Sequence, residues 1–173
     1  VAKGNVLKIS DGLFLEAVQT VAEDYPDIEL EIVIVDAMAA LLVRSPETFD
    51  VIVTTNMYGD ILSDEASELA GSLGLAPSIN AGDNIAMAQA QHGSAPDIAG
   101  QDKANPTSLI LSMAMLLEWL GRRHNDELLT KAAQAVEEAV HDCLNDPATR
   151  TGDLGGPLGT RAFGQAVADK VKG

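Results

Sequence analysis

Two aspartates four residues apart, Asp60 and Asp64, are the side chains in this sequence best placed by type and spacing to do chemistry. They follow an apolar run at residues 50–54 that reads as a buried strand, and an Asn/Gly break after which a helical pattern begins near Gly59. Opening such a helix, their carboxylates lie one turn apart on one face and can converge on one hard cation. An all-oxygen pair suits Mg²⁺ or Mn²⁺ better than zinc, which prefers nitrogen and sulfur. Acidic residues also stabilise the first turn of any helix through capping and the macrodipole, so the pair taken alone has a structural reading too.

A second stretch, His92-Gly93-Ser94-Ala95-Pro96-Asp97-Ile98-Ala99-Gly100 followed by Lys103-Ala104-Asn105-Pro106, is dense in glycine and proline. It must be a loop, with backbone N–H groups free to meet a ligand. No Gly-x-Gly-x-x-Gly follows a strand, so the ordinary dinucleotide fingerprint is absent. Cys143 is the single cysteine and lies in a helical run, where a buried, inert thiol is expected.

The elements that position these residues alternate. Residues 3–9 suggest a polar turn leading into a short extended segment, and Ser10-Asp11-Gly12 signals a helix reaching about Asp24 before Tyr25-Pro26. Residues 29–35 read as a strand, and residues 36–43 as a helix with Asp36 at or near its N-cap, ended by Ser45-Pro46. Strand, helix, strand, helix is an α/β order that aims loops and helix starts at a common crevice. Gly71, Gly74 and Pro77 break the pattern, and residues 78–82 mark a change of domain, with a boundary near Ala70. Three helices complete the chain: from Pro106 to about Gly121, from about Asp126 to Leu144, and from Thr160 to Val171. Arg122, Arg123 and His124 suit a helix C-terminus through the dipole.

At 173 residues and 46% hydrophobic content the chain is globular in composition. The 26 acidic residues outnumber 11 basic ones, giving a net charge of -15. That balance excludes a sequence-independent grip on phosphate backbones, and aromatic content of 3% leaves few platforms for stacked bases, so no nucleic acid partner is expected. No apolar run is long enough for a membrane span, and the start lacks the layout of a secretory signal. No membrane partner and a cytoplasmic location are the expectation.

Asn56-Met57-Tyr58-Gly59-Asp60-Ile61-Leu62-Ser63-Asp64 closely resembles the metal-binding motif of the isocitrate and isopropylmalate dehydrogenases, the metal-dependent β-decarboxylating dehydrogenases. Lys3-Gly4-Asn5-Val6 and Val35-Asp36-Ala37-Met38 match two further pieces of that family, in the family's order and at similar separations. The resemblance covers the whole chain but only about the latter half of a family member. It implies an α/β, isopropylmalate dehydrogenase-like fold, with residues 1–70 part of the small substrate and dimerisation domain and residues 71–173 part of the large NAD-binding domain.

The resemblance further implies that Lys3 transfers protons and that Asn5 lies near the nicotinamide. Asp36 reaches the metal across a homodimer interface, so that active sites are shared, while Asp60 and Asp64 bind Mg²⁺ or Mn²⁺ from their own subunit. An amine desolvated beside a divalent cation can accept or relay a proton near neutral pH, which agrees with the role implied for Lys3. His92 and Asn105 are placed on the adenine and Asp97 on the adenosine ribose, with Gly93, Ser94 and Ala95 completing the cofactor loop. NAD is favoured over NADP, because a carboxylate accepts ribose hydroxyls but repels a 2′-phosphate, and NADP-using relatives carry Lys-Tyr where this chain has Asp97-Ile98. Gln89 stands where many members have an acidic residue, which removes one acceptor near the ribose.

The implied reaction oxidises the 2-hydroxyl of a small hydroxy acid, a 3-substituted malate of the isocitrate or 3-isopropylmalate type, with loss of the β-carboxylate as CO₂. A homoisocitrate or tartrate-type substrate is the alternative, as is a dimerising, cofactor-contacting module without turnover. The second alternative arises because none of Arg44, Arg122, Arg123, Arg150 and Arg161 matches the arginines that clamp the family's substrates. The chain alone is therefore expected to be inactive.

Overall fold

A computed structural model describes residues 1–172. The chain divides into two compact units, residues 1–69 and the residues from Ala70 onward. In the first unit the expected turn forms, the Lys3 carbonyl accepting from the amides of Val6 (2.9 Å) and Leu7 (2.8 Å), but residues 7–9 continue as turn toward the next helix rather than as the extended segment expected. Helix α1 spans Ser10–Ala22, stopping short of Pro26. Helix α2 spans Val35–Arg44; its N-cap is the extended Ile34, and Asp36 lies near the cap, in the first turn.

Helix α3, Asn56–Ala70, starts ahead of Gly59 and has no acidic residue in its first turn. Asp60 and Asp64 therefore do not open the helix as expected, and the dipole explanation for them loses force. Gly71, with φ of 133°, holds a backbone angle closed to other residues and follows the helix end. Val33, Met38, Leu42 and Leu62 form the buried centre of this unit.

Neither expected strand in this unit forms a ladder. Among the described residues, the runs at 29–35 and 50–54 contain one isolated bridge, between Ala2 and Ile34, parallel in sense. Residues 50–54 are also not buried, since Val51 is 83% exposed. A strand exists only through its neighbour's hydrogen bonds, and here the backbone of residues 1–2 reaches both runs without extending along either.

The second unit builds its core from helices. Strands β1 (Pro77–Ala81) and β2 (Ala86–Ala90) form an antiparallel hairpin, with Pro77 opposite Ala90 and Ala81 opposite Ala86. The sequence reading has no strands here, since alanine, serine and asparagine carry little β signal. Two buried serines one turn apart on α4 (Thr107–His124) fix the hairpin. Ser112 Oγ donates to the Gln89 carbonyl (2.7 Å) and accepts from Ser78 N–H (3.0 Å), while Ser108 Oγ donates to the Ala76 carbonyl. A hydroxyl that donates and accepts satisfies itself and the strand at once.

Helix α4 runs past Gly121 to His124 and ends at Asn125, a left-handed cap. Gly121 is a packing residue: a Cβ there would meet Thr130 Oγ1 at 2.5 Å, so its absence allows α5 (Glu127–Asn145) to pack closely. Arg123 does more than complement the dipole, because it bonds the Asp83 carbonyl and the Asn84 side chain in the hairpin turn and lies over the Trp119 ring. Ala139, Val140 and Cys143 of α5 pack on Phe163 and Val167 of α6 (Thr160–Lys172). Burial pushes the Cys143 thiol pKa up, so its role is packing.

Candidate functional site

In the first unit the fold brings Lys3 to Asp36. The Ala2 carbonyl accepts from Val35 N–H (3.1 Å), which sets the start of α2 beside residue 3, and Lys3 Nζ donates to Asp36 Oδ1. The Lys3 hydrogen bond, helped by the backbone N–H of Asp36 itself, holds the Asp36 carboxyl below its ordinary pKa. The Asp36 side chain is 61% exposed and that of Lys3 25%, so the pair lies at a surface with the amine more sheltered.

Two residues to which the sequence reading gave no place in the site support this pair. Asp11, 5% exposed, accepts the Lys3 backbone N–H at 2.6 Å and also engages Ser10 Oγ and the buried Tyr58 phenol. Desolvation, followed by the neighbouring Asp11 carboxylate, pushes the Tyr58 pKa up. The signal was available in the sequence only as the helix-start string Ser10-Asp11-Gly12 and as a tyrosine inside the Asp60 motif. Nothing in their spacing links one to the other.

Asp60 and Asp64 lie on an exposed face of α3, one turn apart. Among the described residues, no three acidic, histidine or cysteine side chains gather closely enough to hold a metal ion. One chain thus offers two carboxylates together and keeps Asp36 with Lys3. Two carboxylates suit Mg²⁺ or Mn²⁺ in donor type but are fewer oxygen donors than such an ion takes. Asn5 sits exposed in the turn after Lys3.

In the second unit, the loop from His92 forms a shallow hollow of about 280 Å³ lined by His92, Gly93, Ser94, Ala95, Lys103 and Thr160, among others. Ala95 is left-handed, φ 42°, ahead of the short turn Pro96–Ile98. Asp102 ties the loop to the start of α6, its carbonyl accepting from Thr160 N–H (3.1 Å) and its carboxylate from Arg161 N–H (3.0 Å). His92 Nδ1 lies 2.9 Å from the Gly93 carbonyl, a bond in which the ring must donate, leaving Nε2 for a ligand.

Of the six sequence-derived cofactor residues in this unit, four therefore share the hollow and two do not. Asp97 is exposed outside its lining, with Gln101 bonded to its carbonyl. Asn105 is buried and its amide is committed: Oδ1 accepts from Thr107 N–H and Nδ2 donates to Asp153, both at 3.0 Å. Asp153 also accepts from Ser72 Oγ (2.6 Å), joining the Gly-rich turn after Thr151 to the start of this unit. Burial alone would raise the Asp153 pKa, but the hydrogen bonds from Ser72 and Asn105 prevail and hold it below its ordinary value.

The sequence profile of the isocitrate/isopropylmalate dehydrogenase family matches residues 1–167. The chain is 52% identical over 170 residues to the isocitrate/homoisocitrate dehydrogenase of Thermus thermophilus, covering 98% of this chain and 48% of that protein. It is 45% identical over 175 residues to subunit 2 of the mitochondrial isocitrate dehydrogenase [NAD] of Kluyveromyces lactis, covering 99% and 46%. The crystal structure of isocitrate dehydrogenase from Methylococcus capsulatus superposes with a TM-score of 0.92 at 44% identity, covering 99% of this chain and 49% of that one. The chain spans about half the length of the curated relatives it matches. Among the described residues no helix is long and apolar enough to cross a membrane.

Proposed function

Since the chain belongs to the isocitrate/isopropylmalate dehydrogenase family, we propose that it forms the metal-binding and cofactor-contacting part of an enzyme that oxidises a 3-substituted malate with NAD and releases its β-carboxylate as CO₂. The observation that carries this most is the Lys3–Asp36 pair, two groups 33 residues apart in sequence whose side chains meet. Lys3 holds and moves the proton at Nζ, and Asp11 fixes its backbone so that the amine returns to one position. Asp60 and Asp64, with Asp36 of a second subunit in a homodimer, would hold Mg²⁺ or Mn²⁺. When bound, the metal supplies positive charge that polarises the substrate oxygen. The hollow at His92 would receive the adenine end of NAD, with Asp97 at its edge favouring a free ribose over a 2′-phosphate.

Residues 1–70 would then belong to the small dimerisation domain and the remainder to the large cofactor domain. Isocitrate and homoisocitrate are the first substrates to try, as the Thermus relative's name suggests. The full-length enzyme carrying these residues should form NADH from one of the family's acids with Mn²⁺. Lys3→Met should lower kcat by about 10²–10⁴-fold. A Lys3→Met enzyme with unchanged kcat would refute the role given to Lys3. The isolated chain should give no NADH but should bind Mn²⁺, measured by loss of the free-ion EPR signal, more weakly after Asp60→Asn. Equal binding by that variant would remove the metal assignment.

A further inference from the structure

We propose that Asp102 is a positioning residue for the cofactor, a clasp that holds the loop from His92 against the start of α6 and so sets the shape of the hollow, an inference that rests on the reading of this hollow as the cofactor site. The hollow is lined from two sources: His92, Gly93, Ser94 and Ala95 come from the loop, while Thr160 and Arg161 come from the first turn of α6. Ser94, Ala95 and Asp97 are exposed, so little packing holds the loop in place. The helix, in contrast, is anchored, because Phe163 is fully buried among residues of α5. Whatever joins loop to helix therefore passes the rigidity of the core to the site.

Three bonds make the joint. The Asp102 carbonyl accepts from Thr160 N–H (3.1 Å), its carboxylate accepts from Arg161 N–H (3.0 Å), and Thr160 Oγ1 donates to the Ala104 carbonyl. The Gly159 carbonyl accepts from Phe163 N–H (3.0 Å), which makes Gly159 the N-cap of α6, and glycine has no side chain with which to cap. Asp102 supplies that acceptor from 59 residues before Arg161. Its backbone is left-handed, φ 56°, a conformation costly to residues other than glycine that persists where surrounding bonds fix it. Gly159 leaves the room for it, since a Cβ there would meet the Asp102 carbonyl and carboxylate oxygens at 2.5 Å. Glycine at position 102 would serve the turn alone; aspartate adds the bond to Arg161, a residue of the hollow's lining.

The test uses two substitutions in the full-length enzyme carrying these residues. Asp102→Gly removes the carboxylate and keeps the backbone angle accessible, whereas Asp102→Asn keeps an acceptor oxygen. Asp102→Gly should raise KM for NAD on the order of tenfold and quicken amide exchange at Arg161, with kcat at saturating NAD and KM for the hydroxy acid within about twofold of the parent. Asp102→Asn should recover most of the lost affinity. An unchanged KM for NAD in Asp102→Gly would overturn the proposal; joined to faster exchange at Arg161, it would leave Asp102 a helix cap only. An Asp102→Asn enzyme as weak as Asp102→Gly, or an equal rise in KM for the hydroxy acid, would overturn it too. Gly93→Trp separates these results from a failure of the cofactor-site reading. A Cβ at Gly93 meets nothing within 4 Å, so the indole should fill the hollow and raise KM for NAD. An unchanged KM in that variant would remove the cofactor site itself, and the clasp with it.

Discussion

The two units of this chain handle the same kind of apolar sequence in opposite ways. The second unit closes its core: Phe163, Val140 and Cys143 are fully buried and each helix finds a partner within the unit. The first unit buries a small centre around Met38 and Leu42 but leaves Ile28, Leu30, Ile32, Val51 and Val53 exposed. Helices close their own hydrogen bonds, and a helical unit needs only side-chain packing to be complete. A sheet's bonds all go to a neighbour, so the unit with unfinished sheet elements carries most of the exposed large apolar side chains.

This contrast can be broken most directly by truncating matched residues. Phe163→Ala should cost about 3–5 kcal/mol of unfolding free energy by urea titration, whereas Val51→Ala should stay within about 0.5 kcal/mol. A comparable loss from Val51→Ala would mean that residues 50–53 are buried in solution. Ser112→Ala should cost about 1–3 kcal/mol, because it leaves the Gln89 carbonyl and the Ser78 N–H without their partner. Exchange should then quicken in β1 and β2 but not in residues 1–69; an effect confined to α5 and α6 would disprove the hairpin anchor.

The smallest expected effect concerns acid. The folded pKa of Asp153 lies below its ordinary value of 3.8, so its contribution to stability is complete above that value and is lost as pH falls through the folded pKa. Melting temperatures followed from pH 7 downward should drop less steeply below about 3.8 in Asp153→Asn than in the parent chain. Parallel curves would show that Ser72 and Asn105 do not stabilise the charged form.

The helices were legible in the sequence to within a few residues because apolar spacing, Pro106 and Asp126 are local signals. Asp126 does cap α5, accepting from Leu128 N–H at 2.9 Å. Gly121 misled the reading of α4, since a glycine that allows a close helix crossing looks the same as one that ends a helix. The hairpin at Pro77–Ala81 and Ala86–Ala90 was not legible, because serines 108 and 112 of a later helix hold it. At the candidate site, Lys3, Asp36, Asp60 and Asp64 came from motif resemblance. Asp11 and Tyr58 did not, because a buried carboxylate that fixes a neighbour's backbone leaves no pattern in sequence.

The bond from Val35 N–H to the Ala2 carbonyl ties the residue before Lys3 to the residue before Asp36. Amine and carboxylate consequently travel as a single rigid piece.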